Sequence, residues 1–221
     1  KIRIMPTQNI RNIYNQMRYT DQTWKNNSSN SLTLNLKKKD YFTKLIPDLD
    51  KNNTWNFESL SGKIIVENKK YDYLYYSLVT VWYEHNKNGW IVKGSDVVDF
   101  FQDKLTKINF NNQEKADFID FWKNEYEKEK YYFISFKYKA DLDKIIPLQF
   151  SKKVDSEFRV LLDSYEIENY SNDIYENFLY KTKIKDEFDE KLLQKFERGN
   201  AINEVFEWWG VLKKNNETII K

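Results

Sequence analysis

The chain contains no cysteine in 221 residues. That excludes disulfides, thiolate nucleophiles and cysteine-based zinc or iron–sulfur centres together. It has one histidine, His85, so a histidine-rich metal site is excluded as well. Glycine and proline are scarce, five and three, so turns must rely on Asn and Asp, and glycine-built phosphate cradles are hardly available. The sequence has no Gly-x-Gly-x-x-Gly, no Gly-x4-Gly-Lys-Ser/Thr and no Gly-x-Ser-x-Gly. No apolar run approaches the roughly 18–20 residues of a spanning helix, and the start shows no basic-then-apolar signal pattern. An excess of one charge is also missing: 36 Lys+Arg stand against 34 Asp+Glu. A protein held to nucleic acid by electrostatics needs a clear basic excess or stripe, so that partner is disfavoured.

What the chain does have is aromatic residues, 17% of the total, with 16 Tyr, 15 Phe and 7 Trp. At about 150–250 Å² of buried surface each, these rings can dominate a core, and they favour strands. Lys, Asn, Ile, Tyr and Phe are also the residues of AT-rich codons, so composition reports nucleotide bias before function.

Residues 1–30 are polar and rich in Asn and Gln, and read as an N-terminal arm or leader with a helical turn over Ile10–Met17. Residues 31–221 read as a single domain. Leu32, Leu34 and Leu36 alternate with polar residues, as do Trp55 and Phe57, and Ile64-Ile65-Val66 is a short β-branched run. A turn at Glu67–Lys70 leads into Tyr71-Asp72-Tyr73-Leu74-Tyr75-Tyr76, and Gly89-Trp90-Ile91-Val92 is a further strand. At Gly94-Ser95-Asp96 the period changes. Phe101, Leu105 and Ile108 recur at helical spacing behind a Ser95 or Asp96 cap, and Asn111 with Glu114 opens a second helix carrying Phe118, Ile119 and Trp122. Alternation returns over Tyr132–Tyr138, a segment follows at Ile145–Phe150, and Phe158–Leu162 is a strong strand. Ile184–Phe196 has helical spacing up to Gly199, and Ile202–Leu212 reads as a final strand. Strands before and after a helical pair, without a βαβ rhythm, give an α+β class: β-rich, sandwich-like or meander sheets, with an amphipathic helical pair inserted near residues 95–128.

Candidate chemistry is sparse. His85 sits in a polar turn composition and is expected to be an exposed loop residue. Most of Asp96, Asp99, Asp103, Asp117, Asp120 and Glu125 fall on polar faces of the two helices, and Asp48 and Asp50 miss the spacing of a calcium loop. The aromatic surplus is the remaining lead. Tyr71, Tyr73 and Tyr75 could form an outward row along one strand. Because Trp208 and Trp209 must point to opposite faces if extended, Trp209 is the fourth candidate for an interaction surface. Arg159, among Phe158, Val160 and Leu162, needs a partner, and Asp155 is the local candidate. On that pairing, Arg159→Met is the milder of the two substitutions.

Taken in order, Tyr73-Leu74-Tyr75-Tyr76, Gly89-Trp90-Ile91-Val92-x-Gly94-x-Asp96, Asp117-Phe118-Ile119-x-Phe121-Trp122, Asp155-x-x-Phe158-Arg159-Val160 and Glu207-Trp208-Trp209-Gly210 form a series. The series resembles an uncharacterised domain family of bacterial, often exported, proteins and some protist proteins. Those read Tyr-Leu-Phe-Tyr-Glu, Gly-Trp-x-Val, Asp-Phe-Ile-x-Tyr-Trp, Pro-x-Pro-Asp-x-x-x-Arg-Val and Glu-Trp-Gly-Gly. The likeness covers residues 63–213, with departures at Ser77, Val154 and Trp209. It implies one coherent domain with a structural signature of Gly89, Trp90, Asp96, Phe118, Trp122, Asp155, Arg159, Trp208 and Gly210. No activity is attached to the family, so the resemblance implies no catalytic residues. The sequence therefore reads as a non-catalytic structural or protein-interaction module, for instance a component of a surface layer, virion or larger assembly. On this reading it is extracellular or at a surface ahead of cytoplasmic, needs no cofactor or metal, and partners a protein or itself. The alternative is a carbohydrate-binding or carboxylate-based glycan-hydrolysing protein with an aromatic cleft.

Overall fold

A computed structural model describes residues 12–18, 28–34, 41–60, 63–79, 84–167, 189, 191–197 and 204–214. The chain is β-rich α+β, with the expected helical pair. Its strands are β1 (Asn12–Arg18), β2 (Ser28–Leu34), β3 (Tyr41–Ile46), β4 (Thr54–Leu60), β5 (Lys63–Val66), β6 (Lys69–Tyr71), β7 (Leu74–Val79) and β8 (Trp90–Lys93), followed by β9 (Tyr131–Tyr138), β10 (Leu148–Phe150), β11 (Ser156–Glu166) and β12 (Glu204–Lys213). The helices are α1 (Val97–Lys107), α2 (Asn112–Trp122) and α3 (Lys139–Ile145). Hydrogen bonding orders the strands β3-β7-β1-β12-β11-β9-β8 in one sheet and β10-β2-β4-β5-β6 in the other.

The density of internal contacts divides the chain into two units. The first comprises Lys1–Glu84, Lys137–Leu161 and Arg198–Val211, the second His85–Phe136, Leu162–Glu197 and Leu212–Lys221.

The first unit is a sandwich. Along β4, Trp55 and Phe57 are buried while Asn56 and Glu58 are exposed, the period of two that a half-buried strand demands. Ile64 and Val66 of β5 and Leu32 of β2 turn the same way. They meet Leu74, Tyr76, Leu161, Val205 and Trp209 from the other sheet, with Leu142 of α3 and Ile146 just beyond it. Tyr76 lies among the largest of these rings, 6.3 Å from Trp55 and 6.4 Å from Trp209. In the second unit, α1 buries Val97, Phe101, Lys104 and Leu105, and α2 buries Glu114, Phe118, Ile119 and Trp122. Phe101 meets Phe118 edge-on at 5.3 Å, and Tyr126 meets Tyr132 at 4.8 Å.

Three expectations change. The helical turn over Ile10–Met17 gives way to β1, which pairs antiparallel with β7 on one side and β12 on the other. Two flanking strands give its backbone partners on both edges, so a polar sequence can occupy a central position. Residues 28–30 of the expected arm belong to β2. Helix α3 was not expected, because the spacing of Leu142, Ile145 and Ile146 is too short a pattern to separate from a strand. Of the expected helix over Ile184–Phe196, only 189 and 191–197 are described, with helical geometry at 189, 191 and 192. Phe188 and Gly199 lie outside the described residues.

Candidate functional site

The expected row of outward tyrosines is not formed. A bend at Asp72 and Tyr73 separates β6 from β7 and breaks the alternation. Tyr75 is buried, with the Lys44 ammonium 5.9 Å from its ring centre, and Tyr71 packs on the edge of the core. Tyr73 is half-buried. Trp208 and Trp209 do take opposite faces of an extended strand, but both are buried within the chain, so Trp209 offers no surface. Both faces of β12 are covered from Val205 to Val211, which accounts for this.

The signature residues serve the fold. A β-carbon on Gly89 would meet the Ile134 carbonyl and the Phe133 ring at 2.5 Å, and one on Gly94 would overlap the Glu127 carbonyl. Glycine is therefore required at both by close approach. Asp96 occupies the cap position of α1 without a side-chain cap bond, and accepts from the Ser95 hydroxyl at 2.7 Å. Asn111 makes the full capping box with Glu114. Phe118 and Trp122 are core residues, and Gly210 lies in the buried run of β12.

Arg159 is fully buried, and its partners are not the expected one. Asp155 is exposed, whereas the guanidinium donates to Glu207, to Asp143 at 2.6 Å and to the Ile146 carbonyl at 3.0 Å. Glu207, also fully buried, accepts from the Tyr76 hydroxyl at 2.7 Å. Burial would lower the Arg159 pKa, but the Glu207 charge overrides it and the net shift is upward. Burial, then the Glu207 charge, pushes the Tyr76 phenol well up. Outward from Arg159, Lys139 bridges Asp143 at 2.6 Å and Glu157 at 3.1 Å. Two sequence motifs, one carrying Arg159 and the other Glu207, thus meet as one buried ion pair.

Two further charge centres lie in the second unit. Lys104, 2% exposed, donates twice to Asp189 at 2.8 Å, while Trp90 donates to the same carboxylate at 3.2 Å. His85 is not a solvated loop residue. Its Nδ1 lies 2.6 Å from the fully buried Asp163, and its ring is 4.8 Å from that of Tyr165. Asp163 also accepts from the Asn86 backbone at 2.6 Å and from Ser135 at 3.4 Å. The signals for these sites were present in the sequence. Lys104 interrupts an apolar helical stripe, and Asp163 ends the run Val160-Leu161-Leu162. Among the described residues, no cluster of three or more metal-ligating side chains is arranged to hold an ion.

Two cavities open on the first unit. One, of about 390 Å³, lies along the outer face of β4 and β5, where Asn56 and Glu58 alternate with the buried Trp55 and Phe57; Ser31, Ser151, Ile65, Glu67 and Asn68 complete it. The other, of about 400 Å³, lies against the core-facing side chains of Leu45, Trp55 and Val66 and is bounded by Asp48, Asp50, Lys69 and Tyr71. Asn56 and Glu67 line both. Asp50 fixes the loop that leads into β4: it accepts from the backbones of Asn52 and Thr54 at 2.8 and 2.9 Å, and from the Asn56 amide at 3.3 Å. Glu67 stands on the two-residue turn between β5 and β6, with φ at 49° and Asn68 at 65°. Such a turn favours Asn and Gly, so a glutamate there carries backbone strain. No family model matches the chain, and neither does any curated protein or solved structure.

Proposed function

We propose that the chain is a non-catalytic binding module whose ligand lies along the outer face of the five-stranded sheet. One observation carries this reading: a cavity of about 390 Å³ on that face is bordered by Glu67, on a turn that accepts strain to hold a carboxylate there. The groove takes the place of the tyrosine row as the surface offered to a partner. The buried ionised groups, Arg159, Glu207, Lys104 and Asp189, are matched by opposite charge inside the chain and hold its fold. No described helix is long and apolar enough to cross a membrane.

The test is retention of components from the source extract on immobilised chain, comparing wild type with Asn56→Trp, which fills the outer-face cavity from an exposed position. A component held by the wild type and lost by the variant supports the reading. Equal retention by both overturns it, as does turnover of a hydrolase substrate panel by the purified chain that is lost in His85→Ala.

A further inference from the structure

The two buried ion pairs part in different ways. Arg159 and Glu207 stand on the adjacent strands β11 and β12, so neither can leave without opening the sheet. Asp189 belongs to none of the described strands. The Leu193 N–H donates to the Asp189 carbonyl at 2.8 Å, one helical turn, and residues 193–197 have no regular structure. Lys191, Gln194, Lys195 and Glu197 are exposed there, while Asp189 and Phe196, seven positions apart, are buried.

Both buried residues are held by α1 and its C-terminal end. The Asp189 carboxylate accepts from Lys104 through both oxygens at 2.8 Å, from Lys107, and from the Trp90 indole at 3.2 Å. The Ile108 carbonyl, one of the acceptors that a helix leaves over at its end, accepts from the Phe196 N–H at 2.7 Å. Asn109, in the left-handed conformation at φ 75°, donates its side-chain amide to the Phe196 carbonyl at 2.8 Å. Withdrawing the segment strands no charge. Lys104 keeps Asp103 at 2.9 Å, with the Trp90 and Phe100 ring centres 5.3 and 5.6 Å from its ammonium. Asp189 passes into water with the segment that carries it, so the pair separates without the desolvation cost of a lone buried ion.

The open seat presents the Lys104 and Lys107 ammonium groups, the Trp90 indole N–H and, at the helix end, the Ile108 carbonyl and Asn109 amide. These select a carboxylate followed by an aromatic residue with its backbone N–H and C=O to spare. The segment that fits is the one already seated, and every further copy of the chain carries it at the same spacing. We propose that residues 189–197 are an exchangeable strap, and that the seat on α1 also takes this strap from a second copy, joining two chains by exchange. Tethering favours the chain's own strap, so the exchanged form belongs to high local concentration.

Hydrogen exchange on the wild-type chain tests whether the strap opens. The bonded Leu193 and Phe196 amides should exchange at least about a hundredfold faster than the Leu105 amide within α1. Equal rates mean that the segment opens only as its surroundings unfold, and overturn the strap. Sedimentation tests the exchange. An Asp189→Asn, Phe196→Ala chain has a seat without a strap, and a Lys104→Met, Asn109→Gly chain has a strap without a seat. Their equimolar mixture should sediment at twice the mass that each shows alone. A capped, labelled peptide of residues 189–197 should bind the strapless chain at least about tenfold more tightly than wild type, and lose about tenfold when its own Asp189 becomes Asn. Peptide binding without a mixed complex overturns the second copy as occupant. Absence of peptide binding to the strapless chain, or binding indifferent to the Asn change, overturns the seat. Failure of either variant to fold overturns the strap too, because a chain that exchanges it must fold with the pair parted.

Discussion

Arg159 is the side chain with most at stake. Replacing it with Met strands the fully buried Glu207 carboxylate without its cation, and removal of one partner from such a pair costs about 3–5 kcal/mol. Urea unfolding should show a loss of that size for Arg159→Met and a smaller one for the exposed Asp155→Ala, the reverse of what local sequence suggests. Arg159→Met combined with Glu207→Gln should regain more than half of the loss, because neutralising both partners removes the stranded charge while Tyr76 can still donate. A fully additive double variant would sink the pairing. Glu67 behaves oppositely. Glycine relieves its left-handed backbone, so Glu67→Gly should gain about 1 kcal/mol, visible as a melting temperature raised by roughly 2–4 °C. The same change removes a groove carboxylate. Higher stability with weaker ligand binding would mark strain retained for function, whereas a lowered melting temperature would contradict the strain argument.

At the scale of elements, legibility followed pattern length. Both helices of the second unit were readable because eleven residues at a 3.6 period leave no competing strand reading, and Asn111 with Glu114 announced a start. Removing that start, Asn111→Ala should cost about 1 kcal/mol, with amide exchange rising first in the N-terminal turn of α2. Protection unchanged across that turn would count against the cap. Short elements were not legible. β1 carries Asn and Gln where a central strand is expected to be apolar, so only its pairing with β7 and β12 reveals it. The tyrosine row failed for a local reason, since a two-residue bend at Asp72 and Tyr73 interrupts a pattern that reads as continuous. The groove was half legible: Trp55 and Phe57 inward put Asn56 and Glu58 outward, but Glu67 arrives from a turn whose path no periodicity encodes.

For the whole molecule, near-zero net charge conceals partly buried carboxylates that respond to acid in two directions. Burial alone would raise the pKa of Asp143, but Lys139 and Arg159 outweigh burial and hold it below the usual carboxylate value. Its contribution is therefore present above the unfolded value of about 3.9 and fades as pH falls through the lower folded one. Burial leads at Glu157 and lifts its pKa despite Lys139 and Arg159. Its contribution is present below about 4.3 and is lost as pH rises through the folded value. Asp143→Asn should thus destabilise at pH 7 and converge on wild type in acid, while Glu157→Gln should gain slightly at pH 7 and lose that gain below about pH 4. Melts across pH 2–8 that moved both variants the same way would refute the assignment. The lone histidine has a practical consequence too. Its imidazole lies against the Tyr165 ring, so its carbon-bound protons should give isolated, ring-current-displaced resonances in an ordinary proton spectrum. Collapse of those peaks to random-coil positions would time the loosening of their surroundings, with no isotope or dye introduced.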